Sequence, residues 1–213
     1  MAAYPSWKTR QMSAMRSRVE IGNHWRAHRM VLRALSESKP PEVKPKVLLT
    51  GRPGCGKTTL IKRVVNELAL PAGGFYTEEI RQSGQRVGFK IITLDGEEAV
   101  LAHVDFNTEQ RVGKYEIDLR ALESIGIEAI CIAVQARQLV FIDEIGPMEL
   151  RSALFRDVVN KAFDTGVTIL ATITARSFPF TDALRKRSDV SVIEVRPNNR
   201  EQLVSGLCGQ FMT

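Results

Sequence analysis

The chain has 213 residues, of which 44% are hydrophobic and 25% charged, and a formal net charge of +6. That size suits one globular domain with an appendage, and the absence of any window of about 18 uninterrupted apolar residues argues against a membrane-spanning helix. The three cysteines, Cys55, Cys131 and Cys208, form no CxxC or zinc pattern, so reduced thiols in a cytoplasmic setting are expected.

The charge is unevenly placed. Residues 1–44 hold nine basic and three acidic side chains, whereas residues 45–213 hold 21 of each. The basic character therefore belongs to an amino-terminal arm, and the remainder offers no overall charge argument for nucleic-acid binding. Ile21 to Leu35 has some amphipathic character, with Trp25, Met30, Val31 and Leu32 among Arg26, Arg29 and Arg33. The arm reads as a solvated extension, as an organelle import segment, or as a basic surface helix for anionic membranes or RNA. Ser36 to Pro45 is a Pro-rich linker. The expected division is an extension over 1–45 and a folded domain over 46–213.

Val47-Leu48-Leu49-Thr50 predicts a short buried strand. Gly51-Arg52-Pro53-Gly54-Cys55-Gly56-Lys57-Thr58 follows and fits G-x-x-x-x-G-K-[ST]. Lys57 to Leu68 has helical spacing. Strand, glycine loop and helix make a phosphate-binding loop. The glycines let successive N–H groups converge on one anion, and the helix adds its positive end. Lys57 would reach the β- and γ-phosphates, and the Thr58 hydroxyl would ligate Mg²⁺. Cys55 reads as a small filler of the loop.

Pro71 and Gly73-Gly74 end the helical pattern. Gly74–Arg81, Arg86–Leu94 and Glu98–Val104 then read as strands joined by turns at Gln82–Gln85 and Asp95-Gly96. This is a hairpin or meander inserted after the first helix. Tyr115–Leu119 reads as a short strand or loop, and Arg120–Val134 as a helix interrupted near Gly126. Leu139–Glu144 is a buried strand, Met148–Phe163 a helix, and Thr168–Ile173 another buried strand. Thr181–Arg187 is a short helix, Val190–Val195 a strand, and Asn199–Leu207 a final helix. Continuous apolar strands between helices imply a mostly parallel α/β sheet covered on both faces.

The strand Leu139-Val140-Phe141-Ile142 ends in Asp143-Glu144. An acid at the carboxyl end of a parallel strand sits at the edge where such sheets bind ligands, which is also where the glycine loop leaves its strand. Asp143 would hold Mg²⁺, and Glu144 would orient and deprotonate a water for attack on the γ-phosphate. Cations against the transition-state charge are sought among Arg81, Arg111, Arg176 and Arg187. Thr172, at the end of a strand, is a candidate γ-phosphate sensor or a strand cap. Phe75 and Tyr76 read as base-stacking or packing residues.

GRPGCGKTTL, GGFYTEEIRQSGQRVGFKIITLDG, RVGKYEIDL, VFIDEIGPMEL and KRSDVSVIEV occur in this order. With them, residues 46–200 resemble the THEP-type nucleoside-triphosphatases, a P-loop NTPase family. The resemblance implies the three-layer P-loop fold and slow hydrolysis of ATP, GTP and other nucleoside triphosphates to diphosphate and phosphate. It places nucleotide contacts on Gly51, Arg52, Pro53, Gly54, Cys55, Gly56, Lys57 and Thr58. It also places them on Leu139, Val140, Phe141, Ile142, Asp143, Glu144, Ile145 and Gly146. Lys57 and Glu144 are the expected catalytic residues, Thr58 and Asp143 the metal ligands, and a monomer the expected form. The alternatives are a nucleotide or small-molecule kinase on the same loop, with Thr174–Arg187 as a lid, and a nucleotide-gated binding module.

Overall fold

The structure is a computed structural model that describes residues 44–212. The readings made for the arm, including its amphipathic stretch and its import, membrane or RNA roles, lie outside the described residues. The chain opens with β1 (Lys46–Thr50) and α1 (Lys57–Leu68). It continues through β2 (Ala72–Gln82), β3 (Gln85–Thr93), β4 (Glu98–His103), β5 (Arg111–Val112) and β6 (Tyr115–Ile117). Helix α2 (Ile127–Gln135) and strand β7 (Leu139–Ile145) follow. The rest comprises α3 (Ala153–Asp164), β8 (Ile169–Ile173), α4 (Pro179–Arg185), β9 (Ser191–Glu194) and α5 (Arg200–Phe211).

The nine strands of the described residues join one sheet in the order β5-β6-β4-β3-β2-β7-β8-β1-β9. The half from β2 to β9 is parallel. The half from β3 to β5 is antiparallel. The meander is therefore a continuation of the main sheet. Strand β2 belongs to both halves: Ala72–Tyr76 pairs with β7, and Phe75–Gln82 pairs with β3.

Side-chain alternation along the strands builds two cores. Val47, Leu49, Phe141 and Leu170 point to one face, where α1 and α5 cover them. Leu48, Val140, Ile142 and Ala171 point to the other, under α2, α3 and α4. Helix α1 contributes Leu60, Ile61, Val64 and Leu68, spaced along one stripe. Each large side chain buried this way contributes about 1.5–3 kcal/mol of transfer free energy.

Two local readings need correction. The double glycine at Gly73-Gly74 is not a helix stop. Helix α1 ends at Leu68, and Ala69 adopts a left-handed conformation with φ of 48°. Gly74 lies inside β2 with φ of 123°, where any Cβ would collide with the Phe141 carbonyl of β7. The second correction concerns Met148–Phe163, which is not one helix. A 3₁₀ turn, Glu149–Arg151, precedes α3, and Ser152 separates them. The Ser152 hydroxyl accepts the Phe155 N–H at 3.0 Å and donates to Glu123 at 2.7 Å. Glu123 belongs to the π-helical turn Leu122–Gly126 that leads into α2, at the interruption expected near Gly126.

Candidate active site

The glycine loop leaves the carboxyl end of β1 and passes directly into α1. Gly54 and Gly56 have φ of 75° and 93°. These conformations favour glycine, and a loop curled this way can present successive amides to one anion. Lys57 Nζ reaches back to the Gly51 carbonyl at 3.2 Å, spanning the loop. Cys55 packs its sulfur where Gly51 lacks a Cβ, a filling role.

Strand β8 separates β1 from β7, so Asp143 stands two strands from the loop at the same sheet edge. It is 2% exposed. Thr172, fully buried at the end of β8, donates its hydroxyl to Asp143 Oδ1 at 2.5 Å. The Thr58 hydroxyl donates to the same carboxylate. Burial raises the proton affinity of Asp143, and the two hydroxyls, then Lys57 and Lys62, pull against that rise. Glu144 is more open to solvent. Its proton affinity is also raised, first by burial and then by the neighbouring Asp143, against the pull of Lys57. The loop lysine, the helix-start threonine and the acid pair therefore converge on one edge.

Glu149 is a site residue that the sequence reading missed. It is 4% exposed, and its carboxyl and that of Glu144 flank Gly146, whose missing Cβ would sit 2.7 Å from Glu144 Oε1 and 3.0 Å from Glu149 Oε2. Burial, followed by the charge of Glu144, pushes its pKa up to about 8, although it accepts backbone N–H groups including that of Gly146. A continuous-helix reading could not find it, because only the 3₁₀ turn directs it inward. The Ser152 cap was the available signal.

The candidate arginines separate cleanly. Arg187 binds Asp189 and Asp164 near the amino ends of β1 and β9, at the opposite sheet edge. Arg81 pairs with Glu79 and the Gly84 carbonyl at the β2–β3 turn, and Arg111 lies on the outermost strand, β5. Arg176 is exposed in the loop after β8 and is the one of the four at the site edge. Phe75 is wholly buried against Phe155 at 6.2 Å, a packing role. Tyr76 neighbours Asp143 in register and carries Lys62 Nζ 3.3 Å from its ring centroid.

The oxygen donors of Thr58 and Asp143 suit a hard divalent cation. A buried carboxylate with raised proton affinity gains most from such a charge. Among the described residues no group of three or more His, Cys, Asp or Glu side chains forms a metal cluster. One carboxylate and one hydroxyl, with phosphates completing the shell, fit Mg²⁺, which keeps several waters and takes few protein ligands.

A family model described as NTPase matches residues 46–208. The nucleoside-triphosphatase THEP1 of Thermotoga sp. (strain RQ2) is 51% identical over 160 residues, spanning 75% of this chain and 91% of that protein. This chain belongs to the THEP1-type nucleoside-triphosphatase family. The human cancer-related nucleoside-triphosphatase is similar at 38% identity over 174 residues, covering 74% of this chain and 92% of that protein. The crystal structure of THEP1 from Aquifex aeolicus superposes with a TM-score of 0.73 at 35% identity, covering 79% of this chain and 99% of that one. The P-loop NTPase fold of the THEP1-type family thus extends to this chain, helices on both sheet faces included. Among its described residues no helix is long and apolar enough to cross a membrane.

Proposed function

We propose that this chain hydrolyses ATP, GTP and other nucleoside triphosphates to diphosphate and phosphate, with Glu144 activating the attacking water. Family membership makes it a nucleoside-triphosphatase, a hydrolase. The finer reading is carried by one observation: Glu144 adjoins the buried Asp143, which is hydrogen-bonded to Thr58 of the phosphate loop. Residues Gly51–Thr58 hold the triphosphate through backbone N–H groups, and Lys57 takes the β- and γ-phosphate charge. Thr58 and Asp143 would hold Mg²⁺, which would supply positive charge against the phosphates. The raised proton affinity of Glu144 makes it an effective acceptor for the proton of an in-line water. Leu139–Gly146 shapes the site from the β7 side. The reading takes the chain as a monomer in a reducing, cytoplasmic compartment, which suits three free cysteines.

A kinase reading draws on one further observation. A cavity of about 280 Å³ lies beside the site edge, lined by Lys62, Asn66, Tyr76, Thr93 and Gly96 among others. An acceptor seated there would lie near Asp143, whose charge Lys62 already feels.

Phosphate release from ATP, GTP, CTP and UTP, with and without nucleoside or monophosphate acceptors, separates the two. Hydrolysis without acceptor, lost in Lys57→Ala and Glu144→Gln, is the expected result. Phosphoryl transfer to an acceptor, with little hydrolysis in its absence, would overturn it. Undiminished turnover in Glu144→Gln would remove Glu144 as the base.

A further inference from the structure

The loop between β9 and α5 is seated on the phosphate loop, far from it in sequence. The missing Cβ of Gly51 would sit 2.6 Å from the Val195 carbonyl, and the Val195 N–H donates to the Thr50 carbonyl at 2.7 Å. Asn199 holds this segment in a fixed turn. Its side chain accepts the Arg196 N–H at 2.8 Å and donates to the Glu194 carbonyl at 2.9 Å. The turn delivers Arg200 onto the phosphate loop. At Gly56 an added Cβ would meet Arg200 at 2.6 Å from a terminal guanidinium nitrogen, 3.1 Å from Cδ and 3.5 Å from Cζ.

The neighbouring arginines are occupied. Arg196 pairs with Glu194 at 2.6 Å, and Arg63 with Glu201 at 2.7 Å. Among the described residues no carboxylate pairs with Arg200, which is exposed. Its guanidinium is thus a planar cation laid across the loop and free of an ion pair there.

The direction of the bound triphosphate follows from the reading of Glu144 as base, on which this inference rests. The γ-phosphate must face Asp143-Glu144 on β7. Sheet order places β7 and β9 on opposite sides of β1. The α-phosphate and nucleoside then leave the loop toward β9 and α5, where Arg200 lies. The phosphates already have the loop amides and Lys57.

We propose that Arg200 stacks its guanidinium on the base of the bound nucleoside triphosphate and is the main contact of this chain with the base. A guanidinium plane accepts any π-face, so this contact grips the nucleoside without reading its hydrogen-bonding edge. Broad use of bases follows directly.

The test compares nucleotide and inorganic tripolyphosphate binding to the full chain by calorimetry. It uses wild type, Arg200→Ala and Arg200→Lys, each with Mg²⁺ and each in a Glu144→Gln background that prevents turnover. In Arg200→Ala the dissociation constants for ATP, GTP, CTP and UTP are expected to rise by similar factors, about tenfold. Tripolyphosphate, which has no base, should bind unchanged. Arg200→Lys, which keeps the charge but loses the plane, should behave like the alanine variant. Equal weakening of tripolyphosphate with rescue by lysine would make Arg200 a phosphate contact and overturn the proposal. Unchanged nucleotide affinity in Arg200→Ala would overturn it also. If Glu144 is not the base, residual turnover in the background variant reveals that separately. Circular dichroism of each variant guards against misfolding, and Arg200→Lys still decides the matter if the alanine variant does not fold.

Discussion

The two edges of the parallel sheet treat charge in opposite ways. At the amino-terminal edge, Lys46 binds Asp189 at 2.6 Å, and Arg187 binds both Asp189 and Asp164. Hydrogen bonds from Arg187 and Lys46 hold the Asp189 carboxyl well below the usual carboxylate range. At the carboxyl edge, Asp143, Glu144 and Glu149 are all shifted upward, with burial the largest cause in each. The first edge closes its charges on one another and is complete. The second concentrates acids with too little positive charge opposite them, an arrangement that costs stability and suits a cationic or phosphorylated ligand set. The ion network at one edge and the candidate site at the other thus differ in the sign of their carboxylate shifts.

Substitutions at the carboxyl edge should have the largest effects on turnover. Lys57→Ala removes the charge proposed to hold the phosphates and should lower the rate of phosphate release by about 10²–10³. Glu144→Gln removes the proposed proton acceptor and should lower it by about 10²–10⁴, while nucleotide still binds. Chelating Mg²⁺ with EDTA should stop wild-type turnover, and adding it back should restore it. Phosphate-release assays check all three, and a wild type that turns over fully in EDTA would exclude the metal from the reaction.

How much of this was legible in the sequence depends on how local each cause is. Gly51–Thr58 and Asp143-Glu144 are contiguous patterns fixed by neighbouring residues, and the structure brings them to one edge. The continuous apolar strands between helices likewise implied the layered sheet. Glu149 was missed because its burial depends on a 3₁₀ turn, held by a cap whose hydroxyl also reaches Glu123 on a separate helical segment. Arg200 was missed because its contact with Gly56 comes from the β9–α5 turn lying on the phosphate loop, which no local pattern records. Gly74 falls in the strand expected from Gly74 onward, but the reason a glycine stands there is not local: the collision it avoids is with the carbonyl of Phe141 on the adjacent strand.

Glu149 makes the stability of the carboxyl edge depend on pH. Its carboxyl has an ordinary value of 4.5 and a folded value of about 8. A folded pKa above the unfolded one means that folding favours the protonated form. The stability linked to this proton is therefore full below about pH 4.5 and is lost as pH rises toward 8. Across that window each pH unit should cost about 1.4 kcal/mol. Glu149→Gln keeps the shape and cannot ionise, so its stability should fall less steeply and exceed that of the wild type near pH 8. Urea unfolding in EDTA at several pH values measures the difference, and parallel curves would show that Glu149 does not carry the proton.

Asp189 at the other edge should show the opposite behaviour at a smaller scale. Asp189→Asn leaves the buried Lys46 ammonium without its carboxylate and should cost about 2 kcal/mol. The folded pKa of Asp189 is depressed, so its stabilisation is present above the ordinary aspartate value and is lost only as pH falls below it. Between pH 5 and 8, roughly the range of greatest protein stability, the gap between wild type and Asp189→Asn should therefore stay constant, where the Glu149 gap changes continuously. The rate of phosphate release per folded molecule should not change, because Asp189 lies at the edge opposite the loop. A loss of turnover in folded Asp189→Asn would show that the two edges are coupled through β1, the strand that carries Lys46 at one end and leads into Gly51 at the other.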